Sequence, residues 1–207
     1  MPTARQPSKY SPGRLRYTSL FFVMILQACF NPDPRTVTGL IEAAAGAVED
    51  QDAEQLFRYL DERARHALWG IVRARQAAKH LIDTDYPPAE RAAALSALGD
   101  GARVDTGADL FARRCASECM RAIGAQLGAP TQVTFAGDVT HVTTVRGTAL
   151  ELRTPQGEGW YGFIWHSAAL ARERDRAFRE LKQIEENAVL YKRKRELAAP
   201  SASVAAP

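Results

Sequence analysis

From residue 130 onward the hydrophobic rhythm of the chain changes, and that change narrows its fold more than any other feature. The stretch TQVTFAGDVTHVTTVRGTALELRTPQGEGWYGFIWHS, residues 131–167, is rich in Val, Thr and aromatic side chains and carries turn residues at Gly137-Asp138, Arg146-Gly147 and Pro155 to Gly159. Short β-prone runs between turn residues read as strands. Four are expected, about 131–136, 139–145, 148–153 and 160–165, joined by tight turns into an antiparallel meander.

Before residue 130 the apolar residues step by three and four instead. Val37, Leu40, Ile41, Ala44 and Val48 mark one face of a helix beginning near Thr36. EDQD interrupts it, and Asp52 stands where an N-cap belongs, so a second helix begins at Ala53 and buries Leu56, Phe57 and Leu60. A third series runs through Leu68, Trp69, Val72, Ala78 and Leu81. Pro87 and Pro88 restart the chain in a short helix through Leu95 and Leu98, which Gly99 and Gly101 stop. A fifth helix spans about 107–127 and ends at Gly128 and Pro130. Helices first and strands after define an α+β fold, in which several N-terminal helices pack on one face of a four-stranded antiparallel meander. From Ser167 to Leu197 there is no Gly or Pro, which adds a long C-terminal helix.

One segment belongs to neither set. LFFVMILQACF, residues 20–30, follows a leader with Arg14 and Arg16 and is too short to cross a bilayer, which takes about 18 to 20 apolar residues. A basic start, a short apolar block and small residues at its end read as a secretory signal. Leu26, Gln27, Ala28 and Cys29 resemble the lipobox of bacterial lipoproteins, in which the cysteine is diacylated and becomes the first residue. The resemblance implies lipidation at Cys29 and anchoring at the cell envelope, since two acyl chains hold a protein at a membrane. Phe30 in the position after Cys29, where an acidic residue would signal retention, favours the outer membrane and a periplasm-facing protein. The competing readings are an ordinary signal peptide cut nearby and a cytosolic chain with an unstructured start. The organisation expected is a signal peptide at 1–28, a Pro-punctuated tether at 29–35, the α+β domain at 36–166, an amphipathic helix at 167–197 and a disordered tail at 198–207.

Removing the leader changes the charge. The whole chain has 27 basic and 24 acidic side chains, a net +3, and residues 1–28 hold Arg5, Lys9, Arg14 and Arg16 and no acid. Without those four, 23 basic residues face 24 acidic ones, a net −1. Binding to nucleic acid needs a clustered basic excess, so no nucleic-acid partner is expected.

A family likeness adds to the fold. PRTVTGLIEAAAGAVEDQDAEQLFRYLDERAR, then GDVTHVTTVRG, then GWYGFIW resemble, in that order, the cone-shaped cystatin-like roll of the nuclear-transport-factor superfamily. The positions that carry it are Asp50 to Asp52, Leu56 to Leu60, Gly137-Asp138 and Gly159-Trp160, over residues 36–65 and 130–165. The resemblance implies an α+β roll, and its members range from isomerases and dehydratases to binding modules without a reaction. A fold of this kind does not set a function.

Chemistry is thinly signalled. The histidines are His66, His80, His141 and His166. His141 shares a strand face with Val139, Thr143 and Val145, and that face is either the wall of a pocket or the solvated side, with Val142 inward. As a catalytic candidate it would need a carboxylate such as Asp138 or Asp109, yet Asp138 suits a turn and Asp109 a helix start. No catalytic residue is assigned beyond this candidate, and no cofactor is expected.

Cys115 and Cys119, four apart in RRCASECMRAIG, share a helical face with Phe111 and Ile123. Three readings stay open: a disulfide in an oxidising envelope, soft ligands for Cu(I) together with Met120 and a distant His, or buried thiols. A single C-x3-C pair lacks the second ligand pair of a metal motif, so no metal site is assigned. In the C-terminal helix Ala177, Leu181, Ile184, Ala188 and Tyr191 form a short heptad seam that either lies on its own domain or projects to a protein partner. Its basic end, YKRKR, either meets anionic lipid or complements the helix dipole. The expected function is therefore an envelope-anchored, non-enzymatic binding or scaffold module for a protein partner or small ligand, with an isomerase- or dehydratase-like enzyme as the alternative.

Overall fold

The computed structural model describes residues 32–154 and 159–198. The leader, the first three residues of the tether including Cys29, the turn at 155–158 and the tail after Ala198 lie outside the described residues, and the readings made on them are not addressed by the structure.

Local sequence explains where each helix starts. Helix α1 (Val37–Glu49) is capped by Thr36, whose hydroxyl accepts the Gly39 N–H at 3.0 Å. Helix α2 (Ala53–Arg58) is capped by Asp52, which accepts the Gln55 N–H at 2.8 Å. Asp61 opens α3 (Glu62–Asp85), 24 residues whose buried side includes Ala64, Ala67, Leu68, Ile71, Val72, Ala78 and Ile82. Pro88 stands at the first position of α4 (Pro88–Ala97), where its missing N–H is no loss. A 3₁₀ turn, Asp100–Ala102, leads to α5 (Gly107–Arg114), opened by a reciprocal capping box between Thr106 and Asp109.

The expected helix at 107–127 is two helices. It breaks between Cys115 and Ala116, and α6 (Ser117–Gln126) starts without a side-chain cap. The two cysteines are joined, with Sγ atoms 1.92 Å apart and Cα atoms 4.8 Å apart. Residues four apart in an uninterrupted helix are about 6 Å apart, so the shorter separation of these two Cα atoms accompanies the break. Neither Gly nor Pro marks the break, which is why periodicity alone runs through it.

The sheet follows in the order β1 (Pro130–Ala136), β2 (Val139–Thr144), β3 (Ala149–Arg153) and β4 (Gly162–Phe163), all neighbours antiparallel. The first three strands lie within a residue of expectation; β4 is two residues rather than 160–165. It is nonetheless held on both sides, because the Phe163 N–H donates to Tyr59 O and Phe163 O accepts the Asp61 N–H, both at 2.8 Å. At Gly162 a Cβ would come within 2.6 Å of the Asp61 Cα, so only glycine lets these backbones approach.

Thr140, Val142, Thr144, Leu150 and Leu152 face the helices and are buried, whereas His141, Ala149 and Glu151 face solvent. This in–out alternation is that of an antiparallel sheet covered on one face. The core joins Leu40, Leu56, Leu68, Ile71, Leu110 and Phe111 to Val142, Leu150 and Leu152, with Trp165 edge-on to Phe111 at 4.8 Å. Trp69, expected among the apolar series, is 46% exposed and flanks Gly107 at the start of α5.

Helix α7 (Ser167–Ala198) packs along α3. Its seam supplies a second buried cluster: Ala188, Leu181, Ile184 and Tyr191 meet Ala78, Ile82, Tyr86 and Leu98. Arg114 grips Glu173 through two hydrogen bonds of 2.9 and 2.6 Å, and Arg195 pairs with Asp85 at 2.8 Å. The helix is thus an integral layer of the domain rather than an appendage.

Candidate functional site

β4 ends early, and that makes a groove. Beyond Phe163 the Ile164 N–H still donates to Glu151 O at 3.0 Å, but His166 adopts a positive φ of 50° and turns the chain into α7. The N-terminal half of β3, Ala149 and Leu150, is left without an outer neighbour strand. The end of α6 stands across the gap. Between them lies a cavity of about 390 Å³ floored by Leu56, Leu60, Leu127, Leu150, Phe163 and Trp165, with Gln126, His141 and Glu151 at its edge. Apolar floors with few polar groups at the mouth are the usual make-up of small-ligand sites.

His141 pairs with Glu151 across the strands, Nδ1 to Oε1 at 3.6 Å. Both side chains stand on the solvated face, 48% and 58% exposed. A pair so open to water is weak, and it does not supply the partly dry setting that acid–base catalysis uses. The carboxylates expected near His141 are engaged elsewhere. Asp138 accepts from Arg63 and Arg153, and Asp109 closes the α5 capping box. Glu151 is the partner that sequence reasoning missed, and only the β2–β3 register reveals it.

The other histidines do not join this site: His66 lies 3.6 Å from Glu62 on α3, His80 is exposed on the same helix, and His166 forms the turn into α7. Cys115 is buried at the end of α5 and Cys119 is partly buried in the first turn of α6, bonded to each other. Among the described residues no three His, Cys, Asp or Glu side chains are grouped to hold a metal ion, and no helix is long and apolar enough to cross a membrane. No protein-family model, curated protein or solved structure matches the chain.

Proposed function

We propose that this chain is a lipid-anchored binding module of the bacterial cell envelope, held through Cys29 at the outer membrane and facing the periplasm, with the groove beside β3 as its binding surface. The observation that carries the binding reading is the apolar floor of that groove under an open mouth, with its only ionisable pair, His141 and Glu151, out in water. Such a surface takes an apolar ligand or an apolar side chain of a protein partner. A partner that meets α7 finds its outward side, where Val189, Leu190 and Leu197 are exposed, because the heptad seam is already packed against α3 and α4.

The test is a titration with the fluorescent probe N-phenylnaphthylamine. Saturable binding is expected for the parent, and its loss in Ala149→Trp, which fills the mouth from an exposed position without touching the core. Equal binding by the variant would remove the groove from the proposal. Anchoring is tested separately: labelling with a radioactive fatty acid should vanish in Cys29→Ser, and labelling that survives would overturn the lipoprotein reading. The enzyme alternative is favoured by one observation, the His141–Glu151 pair beside the groove. A captured ligand recovered unchanged supports the binding module; its conversion, abolished by His141→Gln, would establish the enzyme.

A further inference from the structure

At the other end of β3 and β4 lies a second cavity of about 520 Å³. Arg58 from the end of α2, Arg63 and Arg65 from the start of α3, and Arg153 from the end of β3 line it, together with Trp160 and Tyr161. Guanidiniums gathered in one concavity repel one another unless anions stand between them. Among the described residues the nearby carboxylates are already engaged. Asp61 accepts the Arg63 and Ala64 N–H groups and the Ser167 hydroxyl. Asp138 offers one oxygen, Oδ2, to both Arg63 at 3.1 Å and Arg153 at 2.6 Å. Glu54 meets Arg58 at 3.4 Å in open solvent, and Glu62 faces His66.

Among the described residues no carboxylate lies within ion-pair distance of Arg65, and the Nε–H groups of Arg65 and Arg153 are both shielded from solvent without an acceptor. Each such donor destabilises the fold unless something accepts from it. Native proteins seldom retain two in one place without a use for them.

We propose that this cavity binds a phosphoryl oxyanion. A tetrahedral anion presents oxygens toward donors arriving from α2, α3 and β3 at once, whereas a carboxylate offers two oxygens in a single plane. The guanidinium fork pairs with phosphate through parallel hydrogen bonds, which a lysine in its place would not do. Trp160, 55% exposed at the mouth, places an indole where a bound anion changes its emission. The site is separate from the apolar groove and stands whether or not that groove binds anything. The phosphoryl group could be free in solution or belong to a phospholipid headgroup.

The experiment titrates tryptophan emission of the full chain with inorganic pyrophosphate, with citrate, and with phosphatidylcholine vesicles with and without phosphatidic acid. Trp160→Phe assigns the signal. A saturable response to pyrophosphate is expected and marks a free phosphoryl ligand; a response confined to phosphatidic acid vesicles marks the headgroup. In Arg65→Gln and Arg63→Gln the binding should weaken about tenfold, the size of one charge-assisted hydrogen bond. Arg179→Gln, on the exposed side of α7, should leave it unchanged. The proposal fails if a chain folded by circular dichroism responds to neither phosphoryl probe, if Arg65→Gln and Arg63→Gln bind as the parent does, or if citrate is preferred.

Discussion

The same two strands carry both cavities, and the difference lies in what crosses their ends. Where β3 begins, at Ala149, the wall is Leu56, Leu127 and Trp165; where it ends, at Arg153, the wall is Arg58, Arg63 and Arg65. One short run of chain, 56–65, serves both, with Leu56 turned toward the groove, Arg58 toward the cationic cavity and Leu60 lining each. The 59–61 segment is therefore a partition, clamped to β4 by the backbone bonds at Phe163. A two-residue strand suffices to hold it, and its shortness leaves the chain on either side free to open a site.

The largest expected effect comes from breaking that partition. Gly162→Ala puts a Cβ 2.6 Å from the Asp61 Cα and 2.9 Å from its N, both backbone atoms that cannot swing aside. A clash of this kind costs about 3 kcal/mol. For a domain of this size that lowers Tm by about 10 °C. Probe binding in the groove and the pyrophosphate response should fall together, measured in the same preparation below the lowered Tm. Loss of one with retention of the other would show that the cavities share no wall.

A smaller, one-sided effect is expected from Cys115→Ser with Cys119→Ser. Closing so short a loop contributes about 2 kcal/mol in the chain-entropy account. Helix α6 and its C-cap supply Ile123, Gln126 and Leu127 to the groove and nothing to the cationic cavity. Urea denaturation should show the loss of stability, with groove-probe affinity reduced and the pyrophosphate response unchanged. An equal fall at both sites would mean that the cross-link supports the whole domain. Two more free thiols in the denatured parent than in the double variant, counted without reductant, would show that it is not made.

The legible and illegible parts of this fold differ for physical reasons. The α+β layering could be read because repeating patterns report which face is buried: steps of three and four up to residue 127, alternation from 130. The N-caps at Asp52 and the turn at Gly137, with its φ of 63°, are local chemistry and were equally readable. Contacts that depend on one covalent or register detail were not. The break at Cys115 comes with a side-chain bond that propensity does not report. The His141–Glu151 pairing follows from a loop of three residues, 145–147, between the paired ends of β2 and β3; a two-residue turn at Arg146-Gly147 would have set His141 opposite Leu152 instead. The arginine cavity gathers guanidiniums up to 95 positions apart, Arg58 to Arg153, and no local pattern announces it.

The smallest effect tests whether the comparison is confined to the strand ends. Tyr191 near the end of α7 donates a hydrogen bond to Glu90 on α4, away from both cavities. That bond, reinforced by the carboxylate charge, raises the phenol above its ordinary value of 10.0. A folded-state value above the unfolded one favours the protonated phenol in the native state. The stabilisation is therefore complete below about pH 10 and is lost as the pH rises through the higher folded value. Tyr191→Phe should lower stability slightly and evenly from about pH 6 to 9, and the gap from the parent should close above that range in urea denaturation. Phenylalanine keeps the ring packing against Tyr86, 4.9 Å between centroids, so a gap that persists at high pH would mean that the shift of the phenol is not what links this corner to pH. In either case groove-probe and pyrophosphate binding should match the parent, since neither cavity draws a wall from this corner; a change in either would extend the coupling from the β4 partition to the far end of α7.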